Sequence, residues 1–206
     1  MKYIDLTHTF TDNMPVFPGD PKATLEQVAY LEKDTYNDHQ ITTIMHVGTH
    51  MDAPLHMIEN GKYLDEMNPS KFFGKGVVVD IRGKKVLDES VLEEKEIGKD
   101  SVVLFYTGFG EKYRTEDYFN DYPEMTEDLA KKLVALEVKI VGMDSLGPDH
   151  DNPWIAHKTL LANEILILEN LTNLEQLLTV NEFEIIALPA KFHTDAAPVR
   201  VIARIS

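Results

Sequence analysis

The sequence predicts a mixed α/β fold in one domain, and three observations predict this class. Six apolar, β-branched runs have the length and composition of strands, helical patterns alternate with them in the second half, and no Gly/Ser/Pro-rich linker divides the chain. With 206 residues, of which 43% are hydrophobic, the chain can bury one sizeable core. We therefore expect a single domain over residues 1–206, with a mixed sheet and flanking helices.

The strands are predicted from runs of buried-type residues bounded by turn signals. The first seventy residues are instead rich in turn signals, including Pro18-Gly19 and Asn60-Gly61. A charged stretch at residues 84–100 predicts a surface turn with a short helix. The predicted strands are Val77–Ile81, Val102–Tyr106, Lys139–Met143, Ile165–Leu168, Glu184–Leu188 and Val199–Ile205.

Two helices are predicted between these strands. The first runs over Thr126–Val138, because Thr126 is a good capping residue, acids fill the first turn and three leucines fall on one face. The second begins near Ile155, carries His157 and ends before Asn163. It leads directly into the strand that follows.

Composition excludes several classes of function. The formal net charge of −15 opposes binding to nucleic acid or to anionic membrane surfaces, and no apolar run approaches the roughly 18–20 residues of a membrane span. The absence of cysteine excludes thiolate metal sites, iron–sulfur clusters, disulfides and cysteine nucleophiles. Any metal ion must be held by nitrogen and oxygen. The first eight residues lack the apolar segment of a secretory signal, so we expect a cytoplasmic protein.

The segment HVGTHMDAPLH places ligand-type side chains at even-numbered positions: His46, His50, Asp52 and His56. On an extended backbone these positions share one face, and Gly48 leaves open space between the first two histidines. Fully extended, positions 46 to 52 would span about 20 Å, too far for one ion, so we expect a bend at Gly48. Two imidazoles and a carboxylate suit Zn²⁺ or Mn²⁺, with positions open for water and substrate.

His56 follows this ligand set, and its ordinary pKa suits it to move protons near neutral pH. The alternative is that these four residues are ordinary polar residues of an irregular loop. That alternative fits any one of them better than it fits four at matched parity around a glycine.

Other polar residues carry weaker signals. Asp149, His150 and Asp151 are interpreted as a solvated loop. Glu169 ends an apolar strand, where it is either an exposed strand end or a site residue, and the sequence leaves both open.

Several residues near the termini receive no firm role. His8 is as consistent with structure as with function, and His193 and Asp195 are as consistent with turn residues. Arg200 is a candidate to pair with a carboxylate.

The motif His46-x-Gly-Thr-His50-x-Asp52-x-Pro54-x-His56 resembles that of the cyclase family of metal-dependent hydrolases, which includes bacterial kynurenine formamidase and isatin hydrolase. Weaker similarities cover most of the chain. They lie at Ile4–Thr7, Met14–Asp20, Tyr106–Gly108, Gly142–Ser145 and Ala197–Arg200.

The resemblance implies a set of site residues. His46, His50 and Asp52 would bind a metal ion, His157 and Glu169 would complete a second metal position, and Asp52 would bridge the two ions. One or two ions would bind per chain, Zn²⁺ first and Mn²⁺ second.

The resemblance also implies a catalytic role for His56 and a place for Phe17 in the segment that covers the substrate. Kynurenine formamidases tend to have tryptophan where Phe17 stands. The implied fold is a swivelling β/β/α domain, and the implied assembly is a homodimer or a higher homo-oligomer.

These expectations lead to three hypotheses about function. The first is an arylformamidase that hydrolyses N-formyl-kynurenine to kynurenine and formate, by attack of metal-bound hydroxide, with His56 moving the proton. The second is a hydrolase of a cyclic amide or lactone, similar to isatin hydrolase. The third, from another class, is a non-catalytic metal-dependent binding protein, whose closed site would need no spare proton carrier.

Overall fold

The computed structural model describes residues 1–151 and 153–205, and over these residues the chain forms twelve strands and three α-helices. The strands are β1 (Lys2–Asp5), β2 (Thr24–Ala29), β3 (Asp38–Thr42), β4 (His50–Asp52), β5 (Phe73–Asp80), β6 (Val86–Leu87), β7 (Val102–Tyr106), β8 (Glu124–Met125), β9 (Ile140–Met143), β10 (Leu166–Glu169), β11 (Phe183–Pro189) and β12 (Ala196–Ile205). The helices are α1 (Leu31–Asp34), α2 (Glu127–Ala135) and α3 (Ile155–Ala162). Short 3-10 helices connect them at Pro54–His56, Leu64–Glu66, Pro69–Phe72, Glu89–Leu92, Phe109–Lys112, Glu116–Phe119 and Leu174–Leu177.

Eight strands form one sheet, in the order β1-β12-β11-β5-β7-β9-β10-β4. Strand β4 also pairs with β12, which closes the sheet into a barrel-like ring. The neighbours β5, β7, β9 and β10 run parallel, whereas β4, β11 and β12 pair antiparallel. The prediction of a mixed α/β fold with a mixed sheet is therefore confirmed, and each of the six predicted strands overlaps a strand of this sheet.

The parallel strands are buried on both faces, which is why they read as continuous apolar runs. All five residues of β7 are buried. Leu104 belongs to a core cluster that draws residues from strands around the ring, while Val103 and Phe105 pack with Leu133 of α2 and Leu160 of α3. Alternate residues of β7 thus pack into two different hydrophobic cores, one on each face of the sheet.

Helix α2 begins as predicted, because the Thr126 hydroxyl accepts a hydrogen bond from the backbone N–H of Leu129 at 3.2 Å. It ends at Ala135 rather than at the predicted Val138. Glu137 adopts a φ of +54°, which is outside the helical region and ends the helix early.

Two regions differ from the prediction. Residues 84–100 contain a short helix, as predicted, in the form of a 3-10 helix that buries Leu92. They also contain strand β6, which pairs with β8 and was not predicted. The turn-rich N-terminal region contains the antiparallel hairpin β2–β3, whose second strand is exposed along its whole length. Among the described residues, no helix has the length and the apolar character that a membrane span requires.

Candidate metal centre and active site

The bend that the sequence predicts occurs at Gly48, whose φ is +71°. His46 lies in the turn before this bend, and β4 begins at His50. His50 and Asp52 are two residues apart on β4, so their side chains share one face of the strand. Strand β4 lies between β10 and β12, and its register places Glu169 directly opposite His50.

His56 returns to the same region through a 3-10 helix that Pro54 begins. Its backbone N–H donates to the carbonyl of Ala53 at 3.0 Å. The rings of His46 and His56 are 4.2 Å apart between centroids. The turn, not strand parity, brings His56 beside His46.

His157 and Glu169 reach the site from far along the chain. His157 is buried in α3, and its Nε2 lies 3.1 Å from Glu169 Oε1. The other carboxylate oxygen of Glu169 lies 3.4 Å from His50 Nε2. Of the alternatives left open for Glu169, the exposed strand end is wrong, since the residue is 7% exposed.

Two groups of side chains could each hold a metal ion, and they share Asp52: His46, Asp52 and His56, and His50, Asp52 and Glu169. Within each group the ligand-type atoms all lie within 4.8 Å of one another. Because Asp52 belongs to both groups, its carboxylate could be a ligand to two ions at once.

The polar atoms at the centre lack ordinary partners. Among the described residues, no hydrogen-bond partner serves either carboxylate oxygen of Asp52 or Nε2 of His50, although all three atoms are buried. His46 Nδ1 lies 3.0 Å from Asp52 Oδ1, but this contact does not have hydrogen-bond geometry. Buried polar atoms without partners are costly, and a divalent cation would satisfy them. The nitrogen and oxygen donors here fit Zn²⁺ or Mn²⁺.

Oxygen acceptors fix the orientation of two of the predicted ligand histidines. His50 Nδ1–H donates to the carbonyl of Gly48 at 2.8 Å, and His157 Nδ1–H donates to Asp149 Oδ2 at 2.9 Å. In each ring the other nitrogen, Nε2, faces the centre, where it can bind a cation once its proton is displaced. Such partners are typical of histidines that bind metals.

The surrounding carboxylates raise the pKa values of His46 and His157. Burial alone would lower the pKa of His46, but a hydrogen bond to Asp195 and the other nearby carboxylates raise it to about 10. Burial likewise opposes the charge on His157, and hydrogen bonds to Asp149 and Glu169 raise its pKa to about 9. A cation that binds these nitrogens must displace their protons, so its affinity should increase with pH.

The carboxylates are held in their charged form. Burial would raise the pKa of Asp52, but the neighbouring imidazoles, His50 first, hold it well below its usual range. Burial and the charge of Asp52 would raise the pKa of Glu169, but the hydrogen bond with His157 and the nearby imidazole of His50 lower it. Burial lowers the pKa of His56, which keeps this imidazole neutral and able to accept a proton.

Sequence reasoning missed two carboxylates. The interpretation of Asp149 as a solvated loop residue is wrong: it is 4% exposed and accepts hydrogen bonds from the backbone N–H groups of Ala156 and His157. Asp195, also interpreted as a turn residue, accepts a hydrogen bond from His46 Nε2 at 2.9 Å. The proximity of Asp149 to His157 in sequence was the one available signal, and none existed for Asp195.

The site opens into a cleft of about 410 Å³. His46, His56, His157, Glu169 and Asp195 are among its polar lining residues. The lining also contains six aromatic side chains: Phe17, Tyr113, Tyr118, Phe119, Tyr122 and Trp154. Phe17 is 45% exposed at this cleft. The arrangement can hold an aromatic group beside the candidate metal centre.

Three further histidines belong to neither of these groups. His8 stacks on Tyr113 with 3.8 Å between ring centroids, and burial lowers its pKa to about 4. His193 is an exposed residue that pairs with Asp65. His150 Nε2–H donates to the backbone carbonyl of Tyr122.

Comparisons with known proteins agree with this geometry. The cyclase family, described as "Putative cyclase", matches residues 4–150. Kynurenine formamidase from Bacillus cereus is 29% identical over 98% of this chain and 97% of its own length. Isatin hydrolase A from Labrenzia aggregata, bound to benzyl benzoate, has a TM-score of 0.89 at 26% identity, covering 99% of this chain and 93% of its own. A protein described as a potential metal-dependent hydrolase with cyclase activity has a TM-score of 0.82 at 27% identity, covering 100% of this chain and 98% of its own.

The barrel-like fold and the histidine-carboxylate centre, together with these likenesses, define a hydrolase. The chain belongs to the cyclase family.

Proposed function

We propose that this chain is an arylformamidase that hydrolyses N-formyl-kynurenine to kynurenine and formate with Zn²⁺ or Mn²⁺. The observation that carries the proposal is the buried, unpartnered set of Asp52 and His50 atoms beside His56, at the base of an aromatic cleft. The likeness to kynurenine formamidase of Bacillus cereus over nearly the full length of both chains supports the choice of substrate.

His46 and Asp52 would hold one cation, and His50, Asp52 and Glu169 would hold a second one, with His157 beside Glu169. This division differs from the expectation that His46 and His50 bind the same ion. When bound, the cation supplies an activated water nucleophile and polarises the formyl carbonyl. Asp149 keeps Nε2 of His157 directed at the centre.

His56 moves the proton in this mechanism. Its imidazole is neutral near pH 7, so it accepts the proton of the attacking water and returns it to the nitrogen of the departing aryl amine. An amide nitrogen leaves poorly unless it is protonated, which is why a hydrolase of this bond needs an acid. His56 also lies within ligand distance of His46 and Asp52, so its role as a proton carrier instead of a ligand is part of the proposal.

The cleft would bind the aryl group of the substrate. Its volume of about 410 Å³ is that of a small-molecule site, and Phe17, Phe119 and Trp154 offer aromatic surfaces to a planar ring.

A second candidate function is the opening of a cyclic amide, which the structural likeness to isatin hydrolase A favours. One experiment separates the two: metal-loaded protein is incubated with N-formyl-kynurenine and with isatin, and product mass and formate are measured. Arylformamidase activity releases formate, whereas ring opening adds one water and releases nothing. Hydrolysis of isatin without hydrolysis of the formamide would contradict the leading proposal.

The open cleft beside His56 disfavours the third hypothesis, a binding protein without activity.

We also propose that the chain forms a homodimer in the cytoplasm. Strands β2 and β3 pair only with each other among the described residues, and their hairpin exposes large apolar side chains, which are Val28, Tyr30, Leu31, Tyr36 and Ile41. A two-stranded hairpin is marginally stable by itself, and a second subunit would cover these side chains. Sedimentation equilibrium should show twice the mass of 23.4 kDa, and a monomer at micromolar concentration would contradict it.

A further inference from the structure

We infer that Asp195 is a positioning residue for His56, which it orients through the same carboxylate oxygen that orients His46. The inference rests on the proposed hydrolase function, in which His56 carries the proton.

The carboxylate of Asp195 lies between the two imidazoles. Its Oδ2 is 2.9 Å from His46 Nε2 and 3.4 Å from His56 Nδ1. The two rings are tilted by 37° to each other, so one oxygen can accept from both. Asp195 thus pairs with Nε2 of His46 and with Nδ1 of His56. The other nitrogen of His46 stays available for the cation, and the other nitrogen of His56 stays available for proton transfer.

The backbone of Asp195 is attached to the segment that carries both histidines. Its carbonyl accepts a hydrogen bond from the N–H of Ala53 at 2.8 Å, and the next residue, Ala196, pairs with Asp52 in the β12–β4 ladder. The carboxylate therefore keeps its place although it is 39% exposed. A mobile surface acid would not hold such a position.

This geometry selects the tautomer of His56. When Nδ1–H donates to Asp195, the lone pair remains on Nε2, which is then the nitrogen that exchanges protons with water and substrate. The same oxygen leaves Nδ1 of His46 free to face Asp52 and the cation. One carboxylate thus sets the orientation of a metal ligand and of the proton carrier.

A second histidine-aspartate pair provides a matched control. His193 Nδ1 lies 3.1 Å from Asp65 Oδ1, and Leu64 donates to the carbonyl of Thr194, which precedes Asp195. The pair has the same chemistry and lies near Asp195 along the chain, but neither residue is in the lining of the cleft.

The test compares Asp195→Asn and Asp195→Ala with Asp65→Asn, each saturated with Zn²⁺ and checked for metal content. Two substrates differ only in the leaving atom: formanilide, whose amine needs a proton, and phenyl formate, whose phenolate leaves without one. We expect both Asp195 variants to lower kcat on formanilide by about 10²-fold and on phenyl formate by a smaller factor, about 10-fold, with KM little changed. The ester needs His56 only to accept the proton of water, whereas the amide also needs it to protonate the leaving amine. Asp65→Asn should match the wild type on both substrates.

A second readout does not depend on activity. Nitrogen NMR of the Zn²⁺-loaded protein with labelled histidine should show His56 protonated at Nδ1 in the wild type and in Asp65→Asn. In Asp195→Ala the proton should move to Nε2. Equal losses of kcat on formanilide and on phenyl formate, or an unchanged His56 tautomer in Asp195→Ala, would overturn the inference. A wild-type enzyme that hydrolyses neither substrate would instead refute the proposed function, and the NMR result would still decide the role of Asp195.

Discussion

Substituting Gly147 by alanine should weaken cation binding although Gly147 is not a ligand. A Cβ at this position would lie 2.5 Å from Glu169 Oε1 and 3.1 Å from His157 Cε1. Ordinary contact begins at 3.4 Å, so the carboxylate must withdraw by roughly 0.9 Å. Metal-ligand distances tolerate deviations of only about 0.2 Å, so a displaced Glu169 cannot bind the ion as before.

Calorimetric titration of metal-stripped protein with Zn²⁺ measures the effect. We expect Gly147→Ala to bind about 10–100-fold more weakly than the wild type, the usual result when a ligand is no longer held in place. Gly83→Ala is the control. Both glycines have a positive φ, of +156° at Gly147 and +79° at Gly83, but nothing lies within 4 Å of a Cβ added at Gly83.

The control should lose about 1 kcal/mol of stability from backbone strain. That loss corresponds to a melting temperature about 2–4 °C lower. Its Zn²⁺ affinity should be that of the wild type. If Gly147→Ala also titrates with wild-type affinity and stoichiometry, Glu169 is not a metal ligand and the reasoning is refuted.

Three further predictions concern the histidines and the cleft. His56→Ala should keep its metal while turnover falls roughly 10²–10⁴-fold; loss of the metal would show that His56 is a ligand. Because the folded-state pKa values of His46 and His157 are raised to about 10 and about 9, their contribution to stability is fully present below pH 6.5 and is lost as pH rises toward 10. The melting temperature of the metal-stripped protein should therefore decrease as the pH rises over this range, whereas that of the cation-loaded protein should not. A melting temperature of the stripped protein that does not change with pH would show that these two histidines do not have raised pKa values. Phe17→Ala should raise KM for aryl formamides about 2–10-fold with little change in kcat, and an unchanged KM would remove Phe17 from the substrate site.

The sequence was sufficient for the parts of the fold and site that depend on local patterns. Buried strands such as β7 appear as uninterrupted apolar runs, and the two-residue period places His50 and Asp52 on one face of β4. The bend at Gly48 followed from the reach of the chain alone.

The remaining parts depend on contacts that no local pattern contains. Asp195 is 149 residues from His46, and only the pairing of β12 with β4 brings them together. Asp149 looks like any acid in a polar loop until that loop folds back on the first turn of α3 and buries it. Long-range register and loop packing decide both positions, and a single sequence does not display either.

The central claim is that Asp52 holds the cation on which hydrolysis depends, and metal content measured together with formate release tests it most directly. Wild-type protein should hold one or two Zn²⁺ or Mn²⁺ ions per chain and release formate from N-formyl-kynurenine. It should lose this activity when stripped and regain it when the ion is restored. Asp52→Ala, folded by circular dichroism, should neither bind the ion nor regain activity. Full stoichiometric metal in Asp52→Ala, or undiminished formate release by the stripped wild type, would contradict the claim.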